Sequence, residues 1–276
     1  MDGIRISNKE YREREGISST ELKKIMKSPM HYRHFKDNPE ESDTLPLLLG
    51  RASHKYVLET YDFYNEFAVA PFCDRRTKEG KAQWLLFCDQ NEGKDIITQE
   101  QFEQIDAMRK AMLSTPFVSK LINGDHEISY FWTDEDTGLK CKVRPDSINH
   151  KLKIIVDYKT CDNAETEHFM RQAIKLGYDL QAYMYQQGVK ENLGEEYLFV
   201  FIAQEKKPPY AVNILEADEN FMASGKRIFN EMLNLYKQCS ETGNWYGYLG
   251  EKPEINSLGV PKWIENLIET ESEVDD

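Results

Sequence analysis

Two aspartates and a lysine are spaced in this sequence in a way that suits chemistry on a phosphodiester. Ten residues separate Asp146 from the tripeptide Asp157-Tyr158-Lys159. Two carboxylates can hold Mg²⁺ and still leave it water and phosphate oxygens as further ligands. A lysine ammonium can orient an attacking water and balance the negative charge that develops in the transition state. The spacing therefore predicts metal-assisted hydrolysis of a phosphodiester bond.

The segment that carries these residues predicts two strands joined by a turn. Residues 139–149 alternate in character, and 152–158 form an apolar run with β-branched residues. On such a strand Asp157 and Lys159 share one face, roughly 6.6 Å apart, and the apolar residues take the other. A buried charge needs a partner or a metal. The alternative is that Asp146 is a turn residue and that the other two form an ion pair at the rim.

A histidine and a third acid on neighbouring elements are candidates for the same site. His54 lies on a predicted helix, residues 45–61, with Arg51 beside it. Helical spacing places this histidine on a stripe expected to face inward, made of Leu47, Gly50, His54 and Leu58. His54 either joins the carboxylates or is a hydrogen-bonded core residue. Glu127 begins a predicted strand, residues 127–133, and is either a further carboxylate of the site or a surface acid.

Two further helices carry polar groups that could contact a phosphate or a base. Residues 17–36 predict a helix that opens with a capping box of Ser18 and Glu21 and is ended by Ser28-Pro29, with Leu22, Ile25 and Met26 facing inward. The hydroxyls and free amides of a helix start can bind phosphate, although capping alone also explains these residues. Residues 164–190 predict one long helix with a polar and aromatic stripe on the side away from its apolar face. The stripe consists of Tyr178, Gln181 and Tyr185, and an ordinary helix flank is the alternative.

The remaining pattern predicts a single α/β domain over residues 1–265, followed by an acidic tail, 266–276. The core spans about 45–240, and the helices of 17–36 pack on it. Three strands, 127–133, 139–149 and 152–158, are expected to form a meander. Helices are also predicted at 98–113 and 218–239, and strands at 197–204 and 210–215.

Composition excludes some classes of protein and lowers the expectation of others. The net charge of −13 argues against indiscriminate binding to a polyanion, although basic residues cluster within 23–36 and 75–81. Five scattered cysteines form no CxxC pair, so we expect a reduced, cytoplasmic protein without a zinc or iron-sulfur site. No run of 18 uncharged apolar residues occurs and the start of the chain lacks a secretory pattern, so no membrane span is expected.

Taken together, these residues resemble the PD-(D/E)xK nuclease superfamily. The resemblance is to its RecB-like branch, and most closely to RecE-type (exonuclease VIII-like) and lambda-type exonucleases of phages and prophages. Four motifs carry it in the family's order: Gly50-x3-His54-x3-Leu58-Glu59, Asp146, Asp157-Tyr158-Lys159 and Gln181-x3-Tyr185. The serine-containing start of the helix at residues 17–29 is also similar to this branch.

The resemblance implies a restriction-endonuclease-like α/β core, with a mixed central sheet of about five strands flanked by helices and an N-terminal helical extension. It implies that a divalent metal, Mg²⁺ or Mn²⁺, is held by His54, Asp146, Asp157 and the Tyr158 carbonyl. Lys159 would activate the water, and Glu127 is a further catalytic candidate. Contacts to DNA would come from Gln181, Tyr185, Arg51, Ser18 and Ser19.

The resemblance also implies a biological setting. The expected activity is 5′→3′ digestion of one strand of linear double-stranded DNA by a ring-like homo-oligomer, a trimer or tetramer. The exposed 3′ strand would pass to a single-strand annealing protein during recombination. The alternatives are a non-catalytic DNA-binding or assembly module of the same fold, which would not hydrolyse DNA, and an endonuclease, which would nick closed circles.

Overall fold

The structure of the chain is a computed structural model that describes residues 3–38, 45–262 and 264–265. The acidic tail predicted at 266–276 lies outside the described residues. The strands are β1 (Ile4–Arg5), β2 (Phe67–Val69), β3 (Asp95–Ile97), β4 (Asp125–His126), β5 (Ile128–Thr133), β6 (Lys140–Val143), β7 (Ser147–Asn149), β8 (Ile154–Cys161), β9 (Leu198–Glu205) and β10 (Val212–Glu216). The helices are α1 (Asn8–Glu13), α2 (Ser19–Lys27), α3 (Pro29–Asp37), α4 (Leu45–Leu58), α5 (Phe63–Glu66), α6 (Lys78–Gln90), α7 (Gln99–Ser114), α8 (Val118–Leu121), α9 (Thr166–Lys175), α10 (Tyr178–Leu193) and α11 (Glu219–Thr242).

A mixed sheet of five strands runs through the centre in the order β10-β9-β8-β7-β4. β8 and β9 are parallel, with Asp157 opposite Phe201 and Lys159 opposite Ala203, and the other neighbours are antiparallel. The parallel pair requires a crossover, which α9 and α10 supply. Both central strands are buried along most of their length, as expected for strands covered by helices on both faces. The predicted fold class is confirmed.

The two faces of the sheet are covered by different helices. One face packs Ile155, Phe199 and Phe201 against residues of α2, α10 and α11. The opposite face packs Val156, Tyr158 and Ile202 against residues of α4, α7 and α8. The N-terminal helices therefore lie on the core, as the sequence predicts. The boundaries of a single domain at residues 1–265 stay a prediction.

The predicted meander of three strands is wrong in its second strand. The segment 139–149 divides at Pro145 and Asp146 into β6, which joins a sheet of order β1-β5-β6, and β7, which joins the central sheet. Asp125 faces Ile148 and Tyr130 faces Val143, so the same antiparallel register continues on both sides of the division. The strands separate because Pro145 has no N–H for the ladder and Glu127, which lies opposite Asp146, has a positive φ of 55°.

The predicted long helix at 164–190 is also wrong, because the chain forms α9 and α10 with a turn between them. Gly177 has a φ of 65° at this turn, a conformation in which glycine carries no steric penalty. An ideal Cβ there would lie 3.2 Å from the Met26 side chain. The Met26 side chain lies against this turn and is 38% exposed. Helical spacing instead predicts that it faces inward with its neighbours Leu22 and Ile25.

Candidate active site

The candidate site forms where β7 and β8 stop pairing. Their ladder ends with Ser147 opposite Val156, and Pro145 follows on the β7 side without an N–H to donate. The backbone N–H of Tyr158 instead donates to the Asp146 carboxylate, with 2.7 Å between the nitrogen and Oδ2. The side chain of Asp146 thus takes over a hydrogen bond that the strand would otherwise make. The aspartate is held at the point where the two strands open.

Asp157 and Lys159 point together from the other side of this opening, as strand alternation predicts. Their closest atoms, Oδ2 and Nζ, are 2.5 Å apart, and the Asp157 side chain is fully buried. The second carboxylate oxygen accepts a hydrogen bond of 2.9 Å from the Gln181 amide of α10. A buried carboxylate with both oxygens engaged is well fixed, because unpaired buried charge is costly.

His54 reaches the same place from α4, on the opposite face of the sheet. Its Nδ1 lies 3.4 Å from Asp146 Oδ2, and its ring packs on the Tyr158 ring at 4.8 Å between centroids. Burial and, next, the charge of Lys159 lower the pKa of His54 to about 4. The imidazole is therefore neutral near pH 7, the form that has a lone pair to donate to a metal.

The acids of the site have pKa values above their ordinary range. Burial is the main reason for both Asp146 and Asp157, and the Lys159 charge opposes it. Burial would lower the pKa of Lys159, but the two carboxylates raise it above its ordinary value. Two buried carboxylates therefore face one ammonium and a neutral imidazole. Their negative charge is only partly balanced by these groups.

Glu127 borders this group and lies against Arg144. Its Oε2 is 2.6 Å from Arg144 Nε, while burial and the nearby Asp146 raise the pKa of Glu127 to about 8. Both side chains line a cleft of about 930 Å³ that also contains His54, Thr160 and residues of β1 and α1. Leu47, predicted to face inward, lines the same cleft and is 52% exposed. The cleft therefore reaches His54 and Glu127 at the border of the two aspartates.

The residues present fit a divalent cation by their chemistry. The donors are carboxylate oxygens and a neutral imidazole, together with the Tyr158 backbone carbonyl between Asp157 and Lys159, and hard cations prefer such oxygens. Within residues 3–38, 45–262 and 264–265, no three or more His, Cys, Asp or Glu side chains already stand in metal-binding geometry. The Asp157 carboxylate instead contacts Lys159 and Gln181.

The structure places the predicted DNA contacts at different distances from the acids. Gln181 touches Asp157, and Tyr185 is buried close enough for the Asp157 charge to raise its pKa further, after the larger effect of burial. The stripe that contains them faces the sheet, not away from the apolar core, because Tyr178 and Tyr185 pack on Phe201 and Phe199. The expectation of a stripe turned away from the core is corrected.

The other predicted contacts are engaged elsewhere. Arg51 lines the cleft but its Nη2 binds Asp95 of β3 at 2.8 Å. The Ser18 hydroxyl and the Glu21 carboxylate form the predicted capping box of α2, and Ser19 is 5% exposed. Their roles in binding DNA stay predictions.

Sequence reasoning missed Lys23, which extends the site on the side of α2. Its Nζ donates to Gln181 Oε1 at 2.7 Å, and burial and the Lys159 charge lower its pKa to about 7. The only sequence signal was its place in a basic cluster one helical turn after Ser19.

The sequence matches a family model over residues 18–255, and that family is described as a PDDEXK-like domain of unknown function (DUF3799). The chain belongs to this family. The superfamily resemblance drawn from the four motifs is thereby confirmed, and membership supports a nuclease. No curated protein matches the sequence of this PDDEXK-like chain.

Solved structures provide a test of the fold. The crystal structure of a candidate exonuclease from Eubacterium rectale is 16% identical, with a TM-score of 0.63 over 96% of this chain and 98% of its own. At that identity the likeness shows a shared fold. A phage-related exonuclease from Haemophilus somnus 129PT is 11% identical, with a TM-score of 0.35 over 70% of this chain and 95% of its own. That superposition is too loose to support a conclusion.

None of the helices within residues 3–38, 45–262 and 264–265 of this PDDEXK-like chain is both long enough and apolar enough to cross a membrane.

Proposed function

We propose that this chain is a divalent-metal-dependent exodeoxyribonuclease that digests one strand of linear duplex DNA in the 5′→3′ direction. The observation that carries the proposal is the meeting of Asp146, Asp157, Lys159 and His54 where β7 and β8 separate, beside an open cleft. The sequence matches a PDDEXK-like family, and the candidate exonuclease from Eubacterium rectale shares the fold. The charge balance of the buried acids favours a bound cation.

Each residue of the site has a role in the proposed hydrolysis. His54, Asp146, Asp157 and the Tyr158 carbonyl would hold Mg²⁺ or Mn²⁺. A bound cation would supply Lewis-acid stabilisation of charge on the phosphate oxygens. Lys159, kept protonated by the two aspartates, orients a water molecule and neutralises developing negative charge. Glu127 lies at the edge of the same group and is the candidate to exchange a proton with the reacting groups, because its pKa of about 8 lies near neutral pH.

The proposal extends to the setting in which such an enzyme acts. The motif resemblance to RecE-type and lambda-type exonucleases supports a ring-like homo-oligomer, a trimer or tetramer, that passes a 3′ single strand to an annealing protein in recombination. The five cysteines are all free of disulfides, which suits a reducing cytoplasm. Gln181, Tyr185, Arg51, Ser18 and Ser19 are the proposed DNA contacts.

Linear duplex DNA labelled separately at each 5′ and 3′ end tests this proposal. With Mg²⁺ or Mn²⁺, we expect early release of 5′ labels as short products, retention of 3′ labels on long strands, and no change in closed circular duplex. Replacement of Lys159 by alanine should abolish release while DNA binding remains. Lys206→Ala is the matched control, since the Lys206 side chain forms an exposed ion pair with Asp162 and the variant should keep full activity.

Three results would contradict the proposal in different ways. Nicking of closed circles indicates an endonuclease, and early release of 3′ labels reverses the direction of digestion. Binding of linear duplex without hydrolysis, with or without metal, indicates a non-catalytic DNA-binding or assembly module.

A further inference from the structure

Lys23 and Gln181 form a chain of hydrogen bonds that ends on Asp157. Lys23 Nζ lies 2.7 Å from Gln181 Oε1, and Gln181 Nε2 lies 2.9 Å from Asp157 Oδ1. The glutamine is 7% exposed and the aspartate is fully buried. Both ends of one side-chain amide are therefore used inside the protein, between helix α2 and strand β8.

The lysine decides which way the amide of Gln181 points. An ammonium group donates hydrogen bonds and accepts none, so it must face the carbonyl oxygen of the amide. The NH₂ end then faces Asp157, which accepts. If the amide were rotated by 180°, its oxygen would face a buried carboxylate and its NH₂ would face an ammonium, and both contacts would be repulsive. Lys23 thus selects the orientation that holds Asp157.

Lys23 is itself confined by its surroundings. Its Nζ lies 5.0 Å from the centre of the Tyr178 ring, and Lys159 Nζ lies at the same distance from that ring. The stem of Lys23 runs beside Gly177, where an ideal Cβ would be 3.4 Å from Lys23 Cγ. The lysine stem thus lies within van der Waals contact of that turn. The α9–α10 turn and Tyr178 therefore hold the ammonium close to the amide that it orients.

We propose that Lys23 is a positioning residue that acts through Gln181 to fix the Asp157 carboxylate for binding a divalent cation. This inference rests on the proposed function, because it assigns Asp157 to a metal. Partners that orient a metal ligand typically change metal affinity by roughly 10- to 100-fold when they are removed. The rival explanation is that Lys23 contacts a DNA phosphate directly, in which case it affects DNA binding and not the cation.

Binding of Mn²⁺ to the full chain without DNA, measured by calorimetry, separates these explanations. The variants are Lys23→Met, Gln181→Met and the double variant, with Lys27→Met as the control because that lysine is exposed one turn further along α2. Replacement of Lys23 by methionine removes the hydrogen-bond donor and keeps an unbranched side chain of similar length. Lys23→Arg retains a donor and serves as the conservative variant.

We expect Mn²⁺ affinity to fall on the order of tenfold in each single variant, with no further loss in the double variant. Lys27→Met should bind as the wild type does, and Lys23→Arg should recover most of the loss. In hydrolysis Lys23→Met should need more Mn²⁺ for half-maximal rate, with little change in KM for DNA. Unchanged Mn²⁺ affinity with a raised KM for DNA would overturn the inference in favour of direct phosphate contact.

A second measurement keeps the contact chain testable independently of the proposed function. If the wild type binds no Mn²⁺, the metal site fails and the proposed function fails with it. The free energies of unfolding of wild type, Lys23→Met, Gln181→Met and the double variant then report whether Lys23 and Gln181 act together. Effects that add without coupling would show that the lysine does not orient the amide.

Discussion

Replacing Tyr158 with phenylalanine should lower the stability of the fold and leave hydrolysis nearly unchanged. The Tyr158 hydroxyl donates to Gln204 Oε1 at 2.5 Å and lies 3.1 Å from Ser53 Oγ, on the face of β8 opposite Asp157 and Lys159. Gln204 is fully buried. Loss of the hydroxyl leaves a buried amide oxygen without this donor, which costs about 1–3 kcal/mol of stability. The backbone N–H that holds Asp146 is unchanged, so we expect hydrolysis within about twofold of wild type, since no interaction with reacting atoms is lost.

Thermal unfolding and the end-labelled duplex assay measure the two effects on the same preparation. A loss of about 1 kcal/mol lowers Tm by roughly 2–4 °C in domains of 150–250 residues, so a decrease of several degrees is expected. Tyr183→Phe is the control, because the structure shows no hydrogen bond to that hydroxyl within the described residues. If Tyr158→Phe folds but loses most of its hydrolysis, the Tyr158 hydroxyl is needed for activity. That result would refute the assignment of the Tyr158 backbone alone to the site. An unchanged Tm would refute the stability argument.

Three further predictions follow from the site and its supports. Chelation by EDTA should stop hydrolysis of linear duplex and added Mg²⁺ or Mn²⁺ should restore it; activity that persists after exhaustive chelation would contradict the metal assignment. The lowered pKa of His54, about 4, means that its stabilising contribution is complete above pH 6.5 and is lost as pH falls through 6.5 towards 4. Over that interval the free energy of unfolding of the wild type should therefore fall by up to about 3 kcal/mol more than that of His54→Asn. Denaturant titration at each pH measures both values. Gly188→Ala should destabilise the protein by about 1–3 kcal/mol through overpacking, because an ideal Cβ would lie 2.6 Å from Val143 and 2.7 Å from Trp132. A variant with unchanged unfolding free energy would show that α10 can shift from the β5–β6 sheet.

Local patterns in the sequence predicted much of what surrounds the site. Alternation along β8 was sufficient to place Asp157 and Lys159 on one face and Tyr158 on the other, since strand side chains repeat every two residues. The capping box of Ser18 and Glu21 was also predictable, because it depends on residues only three apart. Features that short stretches determine by themselves are the ones that sequence reasoning recovers.

Features that depend on distant parts of the chain were not predictable in the same way. The sequence shows Pro145, but not that the strand opposite would be interrupted at Glu127 and the hairpin shared between two sheets. Gly177 was visible, yet glycine is tolerated inside helices, and only its positive φ in the structure shows that the helix is broken there. The contact of Lys23 with Gln181 joins residues 158 positions apart, so no local pattern reveals it.

The site lies where β8 stops pairing with β7 and leaves its edge open to the Asp146 carboxylate. An antiparallel partner continued past Val156 would cover the strand edge where Asp146 and the backbone of Tyr158 meet. Pro145 prevents that continuation, and the Asp146 carboxylate accepts the N–H that the ladder leaves unpaired. The same break admits His54 from one face while Lys159 and Asp157 remain on the other. A shift of β8 by one residue would exchange its two faces and place Tyr158 where Asp157 lies. The register of β8 therefore also determines the geometry of the site.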